Sequence, residues 1–296
     1  MNLVDQSVLV MGMGRSGVAA AKYALAQGAK VVVTDLREDS PHIEGAYHSY
    51  GKHIRSEFME ADIVIVSPGI PASAPDIQAA KQAGVRVISE LSFAAEILQS
   101  RDIPILAVTG TNGKSSVAWF TGELLEAAGY RTFVGGNFGN ALTDLVASAE
   151  EPDFAVVEVS SYQLELPGAL QPTAAVVLNL APDHLGRHGT METYAKTKSD
   201  LFMNMTESGY AAIPKQAPNN PDGLLKHGTT GAQPLWLDGS PGVLRRDLHA
   251  NLTGTPDDGD LDMSGLTLLG DHNRDNAAAA ALLCVCAGVP REKIDF

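Results

Sequence analysis

Apolar and polar positions follow two rhythms along this chain. Short runs rich in Val, Ile and Ala at 7–11, 30–34, 62–67, 85–89, 105–109, 155–159 and 174–180 are apolar on successive residues, as in strands buried on both faces. Between them, 16–27, 75–83, 90–99, 114–128 and 191–204 carry apolar residues at helical spacing, and 273–287 does so near the end. Strand and helix in alternation predict an α/β chain built on parallel sheets. From about Lys215 to Asp262, Pro, Gly, Asn and Asp dominate. Loops and short antiparallel strands are expected there, covered by the helix at 273–287. The polar stretch Gln99-Ser-Arg-Asp-Ile-Pro104 precedes a second strand with a second glycine-rich loop, so a boundary is expected near residue 98, with domains at 1–97 and 98–296.

The first loop, Gly12-Met-Gly14-Arg15-Ser16-Gly17, is a literal GxGxxG between a predicted strand and helix. Gly12 permits the tight turn, Gly14 lets phosphates approach the backbone, and Gly17 lets helix and strand pack closely. Asp35 ends the next strand, where a carboxylate can accept from nucleotide or sugar hydroxyls. These features predict a Rossmann-like unit, and they fit equally a glycine-tight turn in a domain that binds no NAD. The turn Ser67-Pro68-Gly69 closes the third predicted strand at the same edge. Fewer than 100 residues leave little room for the second half of a full dinucleotide fold.

The second loop, Thr109-Gly110-Thr111-Asn112-Gly113-Lys114-Ser115-Ser116, joins a strand to a helix. It departs from a literal Walker A because Val108 stands six residues before the lysine. Its backbone N–H groups can still form an anion nest, Lys114 can reach β- and γ-phosphates, and Ser115 can ligate Mg²⁺. Glu158 closes a later strand, Asp183 and His184 follow the next, and Tyr194 and Lys198 stand one helical turn apart. Each has an ordinary structural reading when taken singly. Together on one sheet edge they predict a metal-ATP site in a P-loop mononucleotide-binding domain.

Composition narrows the partners. Lys plus Arg number 21 against 35 Asp plus Glu, a formal charge of −14, which excludes nucleic acid as a main partner and leaves phosphates to local devices. Cys284 and Cys286 lie in an apolar helical run, where two small buried residues are expected in place of a metal or disulfide pair. No basic leader and no apolar window of membrane length is present, so a soluble, cytoplasmic chain is expected.

The TGTNGKS segment at 109–115, EVSSYQLE from Glu158, DHLGRHG from Asp183, YAKTK ending at Lys198 and GxHNxxN from Gly270 to Asn276 together resemble the Mur ligases of peptidoglycan synthesis, in order and across the whole chain. Within that family, the GMGRSG loop, Asp35 and the SPG turn resemble the branch that adds D-glutamate to UDP-N-acetylmuramoyl-L-alanine. The resemblance implies a cytoplasmic, monomeric ATP-dependent ligase acting through an acyl phosphate. ATP would contact Gly110, Thr111, Asn112, Gly113, Lys114, Ser115, Ser116, Asn273 and Asn276. The UDP-substrate would contact Gly14, Arg15, Ser16, Asp35, Leu36, Arg37, Ser67, Gly69, Asn137, Ser160 and His184. Ser115 and Glu158 would hold one Mg²⁺, and His184 with Lys198 as its carbamate a second; Lys114, Glu158, His184 and Lys198 would be the catalytic set. Gly186 stands where relatives often carry Asp, and Ser116 where Thr is common. The family's third domain would follow residue 296, so a chain that binds UDP-substrate with little or no ligation is expected. Two other readings are open: a non-catalytic UDP-sugar or nucleotide module, and an NAD-dependent oxidoreductase resting on GxGxxG alone.

Overall fold

The computed structural model describes residues 1–215, 231–267 and 270–296. Part of the loop-rich stretch expected after Lys215, residues 216–230, therefore lies outside the described residues. The chain forms two compact units: Met1–Arg101 with Ala141–Glu150 and Glu165–Leu170, and Asp102–Asn140 with Glu151–Leu164 and Gln171–Phe296.

In the first unit, β1 (Ser7–Met11), β2 (Lys30–Asp35), β3 (Tyr47–Tyr50), β4 (Ile63–Val66) and β5 (Arg86–Ser89) form a parallel sheet in the order β3-β2-β1-β4-β5. The order reverses at β1, so the topological switch point lies at its C-terminal end, where Gly12 begins. Five strands also fall one short of the six-stranded dinucleotide order. Helices α1 (Arg15–Ala26), α2 (Arg55–Glu60), α3 (Pro75–Gln82) and α4 (Glu90–Gln99) cover it. Strand β3 and helix α2 escape the periodicity because Tyr47-His-Ser-Tyr50 and Arg55-Ser-Glu-Phe-Met-Glu60 are mostly polar, and only Phe58 of α2 is buried.

A segment from far along the chain completes this unit. Helix α6 (Leu142–Ala147) packs on α1 and α4, and Glu90, 1 % exposed at the start of α4, accepts from both the Thr143 N–H (2.7 Å) and its hydroxyl (2.5 Å). Burial pushes the Glu90 carboxyl above its ordinary value, and the two Thr143 bonds oppose that shift.

The second unit has a nine-stranded sheet in the order β14-β13-β12-β11-β10-β9-β6-β8-β7. Its parallel part contains β6 (Ile105–Thr109), β7 (Thr132–Gly136), β8 (Phe154–Glu158), β9 (Ala174–Val177), β10 (Tyr210–Ile213) and β11 (Gln233–Trp236). Strands β12 (Gly242–Arg246), β13 (His249–Thr253) and β14 (Gly259–Asp262) extend it and pair antiparallel with one another, as expected. In the same stretch β11 pairs parallel with β10 and β12, contrary to the expectation of antiparallel strands throughout. Helix α5 (Lys114–Ala127) packs on α9 (Asp271–Cys286), whose residues 277–286 are all buried, and the core reaches Val243, Leu252 and Leu261 of the ribbon. A helix apolar all round suits that central place. Cys284 and Cys286 lie within it as free thiols, pushed above their ordinary values by burial. Helix α7 (Leu185–His188) precedes α8 (Met191–Ser199), which gives way to a 3₁₀ turn at Asp200–Phe202, earlier than the periodicity suggests. No described helix is long and apolar enough to cross a membrane.

Gly17 is where the first turn is tightest: a Cβ there would sit 1.9 Å from the Gly12 carbonyl oxygen, whereas one at Gly14 would meet nothing within 4 Å. Gly17→Ala should therefore lower stability by about 1–3 kcal/mol as α1 is pushed off β1, while Gly14→Ala should leave the thermal melt near wild type. Equal melts for the two variants would contradict this packing.

Candidate functional site

In the first unit the glycine turn is built by one buried hydroxyl and one carboxylate. Gly12 has φ +90°, and the Ser67 hydroxyl donates to its carbonyl at 2.6 Å, tying the SPG turn to the loop. Asp35 Oδ2 accepts from the Met13 N–H (2.7 Å) and from Arg37 Nη2 (3.3 Å); Oδ1 accepts from the Arg37 N–H (3.0 Å) and Nε (3.3 Å). Burial alone would raise the Asp35 pKa, but these Arg37 and Met13 bonds prevail and hold it down to about 2. A cavity of about 450 Å³ is lined by Gly12–Ser16, Asp35 and Ser67–Ile70. A second, of about 410 Å³, is lined by Asp35, Leu36, His53, Gly69 and Ile70 among others. Gly14 caps α1 with no side-chain bond to its first turn, so the first-turn N–H groups face the loop without an intrahelical partner.

In the second unit, Gly113 at φ +83° turns the loop into α5 and no side chain caps it. Ser115 Oγ donates to Glu158 Oε2 at 2.6 Å, and Asn137 Nδ2 donates to Glu158 Oε1 at 2.8 Å. Glu158 is 2 % exposed at the end of β8, so its two oxygens are aimed by neighbours and not by water. Lys114 folds over its own loop, its Nζ donating to the Thr111 carbonyl at 2.8 Å. Beneath that loop lies Lys198, 1 % exposed, whose Nζ donates to the Gly110 carbonyl (2.9 Å) and to Thr109 Oγ1 (3.3 Å) and sits 4.7 Å from the Tyr194 ring centre. Burial, and then the Lys114 charge, push its pKa down from the ordinary 10.5 to about 7. Tyr194 in turn contacts Thr111 Oγ1 at 3.3 Å, and burial raises its phenol.

The remaining expected residues fall into separate local groups. Asn276 of α9 comes against Gly113: a Cβ on that glycine would lie 2.7 Å from Asn276 Oδ1. Asn273 stands one turn earlier on the same helix. Asn137 joins Glu158, and Ser160 donates through both its N–H and its hydroxyl to Gln163 Oε1, each at 2.9 Å. His184 caps α7 at φ +52°; its Nδ1 meets Tyr162 Oη at 3.2 Å and its Nε2 lies 3.4 Å from Asp183 Oδ2, so its bonds are not to Glu158 or Lys198. The Arg187 guanidinium stacks 4.4 Å above the Tyr162 ring. A Cβ on Gly186 would meet nothing within 4 Å.

Asn179 braces the second loop, and the motifs alone do not single it out. Its Oδ1 accepts from the Thr111 (3.1 Å) and Asn112 (2.9 Å) N–H groups, and its Nδ2 donates to the Asn112 carbonyl at 3.0 Å. The front of the loop is thereby stitched to the segment after β9, and the N–H groups from Gly113 onward are the ones left for an anion. The one signal in the sequence is an Asn near the end of the apolar run 174–180, one polar position among many that could close a strand.

The chain matches two family models: the Mur ligase middle domain over residues 108–284, and the Mur ligase MurD-like N-terminal domain over residues 6–89. It is 41 % identical over 221 residues to UDP-N-acetylmuramoylalanine–D-glutamate ligase of Geobacter metallireducens, covering 72 % of this chain and 48 % of that protein. It is 34 % identical over 311 residues to the ligase of the same name from Trichlorobacter lovleyi, covering 99 % of this chain and 67 % of that one. It thus spans from about half to two thirds of the length of these relatives. Among solved structures, a UDP-N-acetylmuramate:L-alanyl-gamma-D-glutamyl-meso-diaminopimelate ligase from Neisseria meningitides shares the fold at TM-score 0.59 and 18 % identity, covering 98 % of both chains. MurF from Acinetobacter baumannii does so at 0.56 and 20 %, covering 99 % of this chain and 59 % of that one.

The buried amine makes stability depend on pH. The unfolded chain keeps the Lys198 proton up to about the ordinary 10.5 and the folded chain releases it above about 7, so folding releases a proton between those values. Urea melts in CO₂-free buffer should show stability rising from pH 7 to 9 through this group, a gain absent from Lys198→Met. Parallel pH profiles for the two proteins would contradict the burial of an uncompensated amine.

Proposed function

The chain belongs to the Mur ligase family, and from that premise we propose that it binds ATP at the Gly110–Ser116 loop and a UDP-N-acetylmuramoyl-amino acid at the Gly12–Gly17 loop. On this reading the first unit would be the UDP-substrate domain and the second the ATP domain. In the full reaction, a carboxylate oxygen of UDP-N-acetylmuramoyl-L-alanine takes the γ-phosphoryl group of ATP and ADP leaves. The amine of D-glutamate attacks the resulting acyl phosphate, forming the amide and releasing phosphate. The 41 % identity to a D-glutamate-adding relative supports that acceptor, and the reading includes a monomer at work in the cytoplasm.

The observation that carries this reading is the convergence of Ser115, Glu158, Asn137, Lys114 and Lys198 on one glycine loop. Lys114, on leaving the Thr111 carbonyl, holds the β- and γ-phosphates, and Gly113 to Ser116 present N–H groups to them. A hydroxyl facing a buried carboxylate is a hard oxygen pair that suits Mg²⁺, which takes one or two protein oxygens and completes its shell with phosphate and water. Ser115 and Glu158 would hold that ion, which neutralises phosphate charge when bound. Such a site needs no cage of three carboxylate, histidine or cysteine ligands, and none occurs among the described residues. The neutral amine is the form that reacts with CO₂, so the lowered Lys198 pKa supports a carbamate there, which together with His184 would hold a second ion. By the family resemblance, Asn273 and Asn276 would contact the adenine side of ATP, and Asn137, Ser160 and His184 would contact the UDP-substrate. In the first unit Arg15, Ser16, Gly14 and Gly69 face the phosphates and sugar, with Asp35 setting the positions of Met13 and Arg37 and Leu36 beside the base.

Thermal shift tests this directly. UDP-N-acetylmuramoyl-L-alanine should raise the melting temperature, and NADH should not, because a ligand stabilises the fold that binds it. A non-hydrolysable ATP analogue with Mg²⁺ should also raise it in wild type and fail to do so in Lys114→Ala. Stabilisation by NADH alone would return the first loop to dinucleotide chemistry, and an unchanged ATP response in Lys114→Ala would remove the P-loop assignment.

A further inference from the structure

The cavity of about 410 Å³ beside β2 has walls suited to a flat ring: Leu36, Ile70 and Pro71 are apolar, and Gly69 adds bare backbone. Its polar side chains differ in what they have left to offer. Asp35 already receives four hydrogen bonds, from Met13 N–H, Arg37 N–H, Arg37 Nε and Arg37 Nη2, which fill the four acceptor positions of a carboxylate. Asp76 is paired with Arg55 at 3.3 Å. His53 is the third, and its ring is fixed from below. Thr34 Oγ1, fully buried, lies 2.9 Å from the Ser49 carbonyl and 2.8 Å from His53 Nδ1. A carbonyl can only accept, so the single Thr34 hydroxyl proton goes to Ser49, and the contact with Nδ1 is attractive only if Nδ1 carries the hydrogen. In the neutral ring, Nε2 then has a bare lone pair, and among the described residues no donor reaches it. The buried Phe58 ring packs edge-on to His53 at 5.8 Å and holds the ring plane.

We infer that His53 is a specificity-determining residue of the nucleotide site, its Nε2 accepting the imide N–H of a uracil ring held between Leu36 and Ile70. The inference rests on the reading of the first unit as a UDP-sugar site and adds to it the group that reads the base. A cavity whose open side-chain valence is an acceptor selects a base with a ring N–H, and uracil has one at N3 where cytosine has a lone pair.

Calorimetric titration with UDP and with the diphosphate of N3-methyluridine tests the assignment on the whole chain. Wild type should bind UDP and reject the methylated analogue. His53→Asn keeps a donor for Thr34 but has nothing at the Nε2 position; it should bind UDP about tenfold more weakly and no longer prefer UDP over the analogue. His53→Gln, which lacks the Thr34 bond but carries an acceptor near the Nε2 position, should keep UDP affinity close to wild type even if its melt is lower. Wild-type UDP affinity and preference in His53→Asn would overturn the role of His53. Failure of the wild-type chain to bind UDP at all would instead overturn the UDP-site reading on which it stands.

Discussion

A lysine amine buried under a glycine turn, with a carbonyl and a hydroxyl as its partners, is the constraint around which the second unit is arranged. Lys198 donates its two hydrogen bonds to the Gly110 carbonyl and the Thr109 hydroxyl oxygen, on the residues that begin the phosphate-type loop. Taking a cation out of water without a bonded carboxylate is costly, and the amine responds by giving up its proton near neutral pH. The same geometry fixes the loop. The Thr109 hydroxyl donates a hydrogen bond to the Val159 carbonyl, which joins the end of β6 to the residue after Glu158, and Tyr194 Oη meets Thr111 Oγ1. Loop, carboxylate and lysine are therefore one hydrogen-bonded body.

Both units solve the same problem by the same means. A parallel strand ends, a glycine at positive φ turns the chain, and a helix begins with N–H groups that its own turn cannot satisfy. In each case a side chain from a neighbouring strand end steadies the turn: Asp35 accepts from Met13, and Asn179 accepts from Thr111 and Asn112. The charge of −14 is compatible with anionic ligands for this reason, since attraction can be supplied within a few ångströms by backbone N–H groups and Lys114 and not by the whole-chain field.

The parallel strands and long helices were legible because their information is local. β1, β6 and α4 fall on the residues their apolar runs predict, and α5 and α9 differ by a residue or two. Short polar elements were not: β3 is held by pairing with β2, and α6 by Glu90, which lies 53 residues earlier in the chain. At the sites, residue types on the strand ends could be read from spacing, and the approach of Ser115 to Glu158 follows from that register. The bonds that decide which groups remain open for a ligand could not. That Asp35 is saturated by the chain's own donors, that Asn179 accepts from two loop N–H groups, and that Thr34 meets His53 at Nδ1 are all outcomes of tertiary contact.

The central claim is that the Gly110–Ser116 loop is a triphosphate site primed by Lys114, Ser115 and Glu158. A crystal structure of this chain with Mg²⁺ and a non-hydrolysable ATP analogue tests it most directly. Lys114 Nζ is expected to leave the Thr111 carbonyl for the β- and γ-phosphates, with Ser115 and Glu158 holding the ion. A nucleotide seated elsewhere, with Lys114 still bonded to Thr111 and Ser115 still donating to Glu158, would contradict it.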